Sequence, residues 1–199
     1  KSVERFYRPT IVVSVEDELS HGSGRSIRAF HLLNGLDACS DLFETYGGHS
    51  HAAGLVIRSE RVDEFRRRIN LYADRVLRKN DLVPEIEIDA MLTVPEISFD
   101  LLREIQLLEP FGVGNPRPVF SIRDARIVGE PRVLKDQHLK FRVMQNGRDV
   151  DAIWWNGAER GEGIRMGDRV ALAFALGENI YNELVQIQLV VKDLSLSPR

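Results

Sequence analysis

The chain has 199 residues and a mass of 22.6 kDa, with 43% hydrophobic residues, 29% charged residues and a formal net charge of -3. This length fits one large domain or two small ones, and the composition is too apolar for a disordered chain. The longest apolar run, Val170 to Leu176, is far too short to cross a membrane, so no membrane partner is expected. The one cysteine, Cys39, excludes an internal disulfide, and no secretory signal opens the sequence. These features predict a cytoplasmic protein. Because the sequence begins at Lys1 instead of a methionine, we also expect a piece of a longer chain.

The first segment has the pattern of a mixed α/β domain. Apolar periodicity predicts, in chain order, a strand over Ile11–Val15, a turn-forming stretch over His21–Ser26, two short helices within Phe30–Tyr46, a strand over Ala52–Ile57 and an amphipathic helix from Ser59 to Val76. Gly47-Gly48 is predicted to end the short helices, and Ser59 to cap the long one. We therefore expect an α/β domain over residues 1–79, truncated at its start, and a linker over residues 80–84.

The second segment is mostly β. The pattern predicts a strand over Glu85–Val94, a helix over Ser98–Leu108, and five further strands over Phe120–Val128, His138–Met144, Asp149–Trp155, Arg169–Leu176 and Leu184–Val191. Asn146-Gly147 is a strong hairpin signal, and Asn179–Asn182 separates the last two strands in a similar way. Tight turns and a glycine-broken stretch after the third of the five strands favour a Greek-key barrel of the OB type over residues 85–199. An SH3-like barrel or an open sheet with a helix are the alternatives.

Charge is distributed unevenly along the chain. Residues 1–80 carry a net charge of +2 and residues 81–199 a net charge of -5, yet the stretch from Arg117 to Arg148 has eight basic residues and three acidic ones. A local basic stretch in an acidic chain indicates a polyanionic partner. A solvated surface with salt bridges would give the same pattern.

Two glycine-rich motifs could bind a ligand. In Gly22–Ser26 (GSGRS), glycines permit close approach, serines donate hydrogen bonds and Arg25 supplies a planar fork for phosphate, although the motif is not a Walker loop. The alternative is a polar loop with one exposed arginine. In Gly47–His51 (GGHSH), a histidine beside two glycines could bind phosphate or act as an acid or base. Its two histidines point to opposite faces if they lie on a strand, so a shared metal is not expected. The alternative is a surface histidine and a helix-cap histidine.

The sequence has no obvious catalytic centre of its own. It contains no GxSxG motif, no plausible Cys/His pair and no cluster of Asp and His at metal-binding spacing. The predicted barrel instead offers cations near aromatic residues, which is the composition of single-strand binding sites: Arg123, Arg126, Arg132, Lys135, His138, Lys140 and Arg142, with Phe141, Trp154, Trp155 and Tyr181. On a strand Trp154 and Trp155 face opposite sides, which favours one tryptophan in the core and the other exposed, although core packing of both is the alternative.

The motifs resemble those of a known family. Gly22–Ile27 (GSGRSI) and Ala38–Leu55 (ACSDLFETYGGHSHAAGL) closely resemble the DHHA1 domain of the RecJ family, bacterial single-stranded-DNA-specific exonucleases of the DHH/DHHA1 phosphoesterase superfamily. Independently, Leu108–Phe120 (LEPFGVGNPRPVF), His138–Phe141 (HLKF) and Gly167–Val170 (GDRV) resemble the OB domain of that family. The resemblance covers nearly the whole chain, with the two sets of motifs in the family's order.

The resemblance implies a 5′→3′ exonuclease of DNA repair and recombination. Contacts to the DNA backbone and the 5′ phosphate are implied for six residues: Ser23, Arg25, Ser26, Gly47, Gly48 and His49. His49 would lie beside the active site, with no catalytic residue in this chain. The OB domain would hold the single strand through Arg123, Arg132, Lys135, His138, Lys140, Arg142, Trp155 and Tyr181.

The resemblance also bears on cofactors and partners. In the family an N-terminal DHH domain binds Mn²⁺ or Mg²⁺, and its motifs are not in this sequence. We therefore expect no metal in this chain and no nuclease activity from it alone. Single-stranded DNA with a 5′ end, single-strand-binding protein and a helicase are the implied partners in a bacterial cytoplasm. A non-catalytic single-strand-binding module, or the DHHA1 part of another DHH-family phosphodiesterase, are the alternative functions.

Overall fold

The computed structural model describes residues 2–112, 114–181 and 184–197, and the chain divides into two compact units, Lys1–Glu85 and Ile86–Arg199. The α-helices are α1 (Ser2–Phe6), α2 (Leu32–Asp37), α3 (Val62–Val76) and α4 (Phe99–Gln106). The strands are β1 (Thr10–Ser14), β2 (Leu19–Arg25), β3 (Phe43–Gly48), β4 (Ala52–Arg58), β5 (Ala90–Met91), β6 (Phe120–Ile127), β7 (Arg132–Leu134), β8 (His138–Gln145), β9 (Arg148–Trp154), β10 (Arg169–Tyr181) and β11 (Leu184–Leu196). Within the described residues, no helix is both long and apolar enough to span a bilayer.

The first unit is an antiparallel sheet in the order β1-β2-β4-β3 with its helices packed on one face. Along β2, Ser20 and Gly24 are buried whereas His21, Ser23 and Arg25 are exposed, as the two-residue period of a strand requires. The buried face packs with α2 and α3 in a core of Ile27, Phe30, Leu32, Leu36, Cys39, Leu42, Ala53, Leu55, Ile57, Val62 and Phe65. On the opposite face, which we call the open face, described residues of this unit such as Val12, Ser23 and Gly54 are exposed.

The prediction of a turn-forming stretch over His21–Ser26 is wrong, because most of this stretch lies in β2. Its glycines make room for neighbouring side chains in the core instead of forming a turn. A Cβ at Gly22 would lie 2.8 Å from the side chain of Leu55, and one at Gly24 would lie 2.8 Å from that of Leu32. Glycine in this strand is thus a packing requirement.

The predicted helical segment Phe30–Tyr46 is helical only in its first part. After α2 and a 3-10 turn over Ser40–Leu42, the chain enters β3, so Gly47-Gly48 ends a strand and not a helix. The spacing that looked helical continues into a strand whose first residue, Phe43, packs its ring 5.1 Å from that of Phe65 on α3. Tertiary packing overrides the local pattern here.

The long amphipathic helix is confirmed, but its predicted cap is not. A 3-10 turn over Ser59–Arg61 precedes α3, and Arg61 occupies the cap position without a side-chain hydrogen bond. The hydroxyl of Ser59 instead donates to the carbonyl oxygen of Glu16 at 2.6 Å. Through this hydrogen bond, Ser59 links the β1–β2 connection to the segment that follows β4.

The second unit is a closed five-stranded barrel. Its sheet runs β5-β6-β10-β11-β9-β8-β7, and an additional pairing between β6 and β8 closes the ring. Strand β11 runs parallel to β9, and the other neighbours within the ring are antiparallel. The barrel interior is filled by apolar residues from every strand of the ring, including Ile122, Phe141, Ala152, Phe174 and Leu189. The Greek-key barrel that the sequence predicts is confirmed.

The two hairpin predictions also hold. Asn146 and Gly147 both have positive φ, of 52° and 77°, which is the backbone of a tight turn between β8 and β9. Strands β10 and β11 pair in antiparallel orientation from Val170 and Leu196 to Tyr181 and Leu184, so residues 179–181 belong to β10. Asn182 lies outside the described residues.

Two elements at the edges of this sheet differ from the prediction. Of the strand predicted over Glu85–Val94, only Ala90–Met91 forms a strand, which pairs in parallel with β6. Ile86 and Ile88 remain 38% and 37% exposed, so the alternation that suggested a strand buries neither residue fully. Strand β7 was not predicted, because its three residues are all exposed and give no burial pattern.

Candidate nucleic-acid interface

The open face of the first sheet brings the two glycine-rich motifs together. Ser23 on β2 lies directly opposite Gly54 on β4, and Gly54 lies opposite Gly47 on β3. Both glycines and Ser23 are exposed. Ser23 therefore stands beside a strip of bare main chain formed by Gly54 and Gly47, which we call the glycine strip.

Neither glycine of this strip is required by the fold itself. A Cβ at Gly47 would meet no atom within 4 Å, and one at Gly54 would meet only the carbonyl oxygen of Gly22, at 3.8 Å. Gly48 differs, since its φ of +147° and a Cβ only 2.3 Å from the carbonyl oxygen of Ala52 exclude other residues. Glycine in a strand costs conformational entropy, so the strip is suited to a group that approaches the main chain from outside.

The end of β2 lies beside the turn between β3 and β4. Arg25 pairs with Ala52, and the amide of Ser26 donates to the carbonyl oxygen of His51 at 2.9 Å. The exposed Arg25 guanidinium donates to the adjacent carbonyl of Gly24, and no described carboxylate forms a salt bridge with it. This side chain is therefore available for an anion.

Three other polar residues of the motifs differ in their availability for a ligand. Among the described residues, nothing hydrogen-bonds to the Ser23 hydroxyl or the His49 imidazole, and both residues are exposed. The Ser26 hydroxyl, by contrast, donates to the carbonyl oxygen of Phe30 at 2.7 Å. His31, which the sequence did not single out, caps α2 by accepting from the amide of Asn34 at 3.3 Å.

A second candidate surface covers the outer side of β7, β8 and β9, and we call it the β8–β9 face. Leu134 lies opposite His138, and Arg132 lies opposite Lys140. The His138 ring meets that of Trp155 edge-to-face with centroids 4.7 Å apart. Trp155 is 55% exposed whereas Trp154 is 3% exposed, which confirms one tryptophan in the core and one outside.

Two cations of the β8–β9 face are already paired with carboxylates. Asp151 accepts from Nε of Arg142 at 2.8 Å and lies 3.2 Å from Nζ of Lys140, while Asp149 lies 3.3 Å from the other side of Arg142. Burial raises the pKa of Asp151, but the hydrogen bonds from Arg142 and Lys140 outweigh it and hold that pKa below its usual value. Arg132, also on this face, forms no salt bridge within the described part of the chain.

Each of the two halves of the chain matches a model of a known protein family. Residues 3–74 match the family model of the DHHA1 domain, and residues 88–193, more than half the chain, match that of the RecJ OB domain. The chain belongs to the RecJ family.

Individual RecJ proteins match the chain over almost its full length. The single-stranded-DNA-specific exonucleases RecJ of Bacillus subtilis and Dickeya dadantii are 34% and 31% identical, over 99% and 96% of this chain. The crystal structure of Thermus thermophilus RecJ in complex with Mn²⁺ is 30% identical, with a TM-score of 0.80 over 99% of this chain. The match covers 25%, 34% and 28% of those relatives, so the chain spans a quarter to a third of their length.

The metal that RecJ structures hold has no evident site in the described part of this chain. Crystal structures of Thermus RecJ contain Mn²⁺ or Mg²⁺. Among the described residues here, no three His, Cys, Asp or Glu side chains are placed to hold a metal ion.

The remaining RecJ-type predictions are spread over the barrel. Lys135 lies in the turn between β7 and β8, next to the β8–β9 face. Arg123 lies in an irregular part of β6, where its carbonyl accepts from Gln145 at the far end of β8 from His138. The Tyr181 side chain lies outside the described residues.

Sequence reasoning missed the acidic and apolar members of the β8–β9 face. Asp149 and Asp151 belong to it, as do the exposed side chains of Leu134 and Met144. The alternation along β9 was a usable signal, because it places Asp149 and Asp151 on the same side of the strand. What the sequence does not give is the cross-strand register that sets Asp151 against Arg142.

Proposed function

We propose that the chain is the DHHA1 and OB part of a single-stranded-DNA-specific 5′→3′ exonuclease, which acts in DNA repair and recombination in the bacterial cytoplasm. The observation that carries this proposal is the match to a DHHA1 domain model followed by a RecJ OB domain model, together with an exposed arginine at the DHHA1 motif. Residues 1–79 would form the DHHA1 domain, residues 80–84 the linker and residues 85–199 the OB domain. The division of the structure after Glu85 supports these boundaries.

In the first unit, Arg25 and Ser23 bind the 5′ phosphate of the DNA. A terminal phosphate carries close to two negative charges and offers more acceptor oxygens than an internal diester. The guanidinium fork suits such a group, and the Ser23 hydroxyl, next to it on the same side of β2, adds a hydrogen bond. Gly47 and Gly54 let the attached nucleotide lie close against the main chain, beside Gly48 and His49.

Ser26 has a different role in this proposal from that of Ser23. Because its hydroxyl proton is committed to Phe30, only its oxygen lone pairs remain, and these repel a phosphate oxygen. Ser26 acts through the backbone: its amide ties the end of β2 to His51 in the turn that carries His49. It therefore positions Arg25 relative to the GGH motif.

In the second unit, the β8–β9 face binds the strand that follows. Single-strand sites combine stacking platforms with cations that track the backbone. Trp155 offers an exposed ring in edge-to-face contact with that of His138, and Arg132 on β7 and Lys135 in the turn after it offer charges. Lys140 and Arg142 contribute through those N–H donors that are not bonded to their carboxylate partners.

The divalent metals that activate water are bound outside this chain, in the DHH domain of the complete protein. The support for this is the chain's quarter-to-third coverage of RecJ proteins. The chain supplies end recognition and strand binding. Single-strand-binding protein and a helicase would be the protein partners of the complete enzyme.

The proposal is tested with the purified chain and matched single-stranded and duplex oligonucleotides. We expect tighter binding to the single strand and an affinity that falls with salt, because phosphate contacts release counterions. With Mn²⁺ or Mg²⁺ we expect no release of nucleotides. Equal affinity for duplex and single strand would contradict the binding proposal, and nucleotide release that survives repurification would contradict the assignment of catalysis elsewhere.

A further inference from the structure

The charges of the β8–β9 face nearly cancel. Its outer side carries Lys140 and Arg142, but Asp149 and Asp151 lie between and beside them at hydrogen-bonding or ion-pairing distance. Among the described residues on the outer side of β7, β8 and β9, Arg132 is the cation that forms no salt bridge. A count of basic residues in the sequence therefore overstates the positive charge that a strand of DNA would meet.

Asp151 is held in place more firmly than an ordinary surface acid. Its side chain is 16% exposed, and it lies opposite Arg142 in the register of β8 and β9. It also lies next to Gln188 across the parallel pairing with β11. A carboxylate fixed in this way cannot turn away when a phosphate reaches Arg142 or Lys140, so the two anions compete for the same donors.

Building on the proposed function, we propose that Asp151 limits the affinity of the β8–β9 face for single-stranded DNA by competing with phosphates for Lys140 and Arg142. Binding then depends more on stacking at Trp155 and less on ionic contacts. This keeps each phosphate contact weak, which suits an enzyme that must release its strand repeatedly as it shortens it. Asp151 is thus a residue that sets affinity without itself contacting DNA.

The direct test is Asp151→Asn, which keeps the size of the side chain and an acceptor oxygen while removing its charge. The full chain is titrated into a 3′-labelled oligothymidylate with a 5′ hydroxyl, in EDTA, and fluorescence anisotropy is followed over a range of salt concentrations. We expect Kd to fall about three- to tenfold at low salt. We also expect the slope of log Kd against log salt to steepen by about 0.7 for each cation transferred to a phosphate.

Three further variants show whether the effect acts through these cations. Asp149→Asn, at an exposed site on the same face, is expected to tighten binding by a smaller factor. In a Lys140→Gln/Arg142→Gln background, Asp151→Asn should change the affinity little. Asp63→Asn removes one charge from the exposed pair with Arg66 on α3 and should leave the affinity within about twofold.

The outcomes separate this inference from the proposed function. An unchanged or weaker affinity of a folded Asp151→Asn variant overturns the inference, since it would mean that the carboxylate positions the cations or does nothing. A tightening of the same size in Asp63→Asn would also overturn it, because net charge alone would explain the result. If instead the unmodified chain binds the oligothymidylate poorly and Trp155→Ala binds it with the same affinity, the β8–β9 face is not the binding surface. The proposed function of this unit then fails.

Discussion

We expect single-strand binding by the barrel to depend most on Trp155. It is 55% exposed, and its ring is held against that of His138. Stacking of a base on an aromatic ring contributes about 1–3 kcal/mol. We therefore expect Trp155→Ala to weaken single-strand affinity about tenfold or more and Trp155→Phe to retain part of it.

The control for Trp155 is another exposed aromatic residue. Phe6 is 60% exposed on α1 of the first unit, so Phe6→Ala removes an exposed aromatic side chain that does not belong to the barrel. Filter binding with the same oligonucleotide compares the two variants. Equal losses in both would show that Trp155 is not a specific stacking site.

Ser23 and Ser26 lie three residues apart in one motif, yet their hydroxyls are expected to do different work. Ser26→Ala removes the hydrogen bond to Phe30 and should lower the free energy of unfolding by about 0.5–1.5 kcal/mol. Ser23→Ala removes an exposed hydroxyl, so it should leave stability unchanged and weaken binding of a 5′-phosphorylated oligonucleotide. Urea unfolding and binding titrations of both variants measure the two effects, and a reversal of the pattern would refute these roles.

At the scale of elements, an ion pair links α3 to the 3-10 turn before β3, and its contribution to the stability of the fold depends on pH. Arg68 on α3 donates to both carboxylate oxygens of Asp41, at 2.7 and 2.8 Å. The hydrogen bonds from Arg68 lower the pKa of Asp41 below its usual value. A carboxyl group whose pKa is lowered by folding stabilises the fold above its unfolded pKa, and this contribution is lost as pH falls through the folded pKa.

We therefore expect Asp41→Asn to lower Tm by a few degrees at pH 7 and to make little difference in strong acid. The gap between the two melting temperatures should begin to close as pH falls below about 4, the usual pKa of an aspartate. Thermal unfolding followed by circular dichroism across pH 3 to 7 measures it. A gap that stays constant over that range would show that the Asp41 charge is not involved.

Elements were predictable where local chemistry and tertiary structure agree. Asn146-Gly147 gave the β8–β9 hairpin, and the helix predicted to begin at Ser98 is confirmed, with the Ser98 hydroxyl accepting from the amide of Leu101. The glycines of β2 misled the prediction, because their role depends on Leu55 and Leu32 from other elements. Such contacts are invisible to a local pattern.

The candidate sites follow the same rule. Ser23, Arg25 and the GGH motif were identified from residue types, and the structure places all of these residues at the exposed surface. The inward bond of Ser26 depends on where the chain turns after β2, and the neutralisation of Lys140 depends on the β8–β9 register. Neither can be derived from the spacing of residues along the chain.

For the molecule as a whole, the proposed function gives the two units separable contacts to one strand of DNA. In that proposal the exposed Arg25 of the first unit binds a phosphate at the 5′ end, and the exposed Trp155 of the second unit stacks on bases. Defects at Trp155 should lower affinity for strands with either kind of end. Defects at Arg25 should depend on whether the end carries a phosphate.

The measurement that tests end recognition most directly is the kcat/KM ratio of the full-length enzyme for two oligonucleotides that differ only in a 5′ phosphate or a 5′ hydroxyl. A charge-assisted hydrogen bond contributes about 1.5–3 kcal/mol, so Arg25→Ala should reduce the preference for the phosphorylated strand about ten- to a hundredfold. Arg25→Lys should restore it only in part, because lysine keeps the charge and loses the fork. If Arg25→Ala slows both substrates by the same factor, Arg25 is a general backbone contact and end recognition does not lie in this motif.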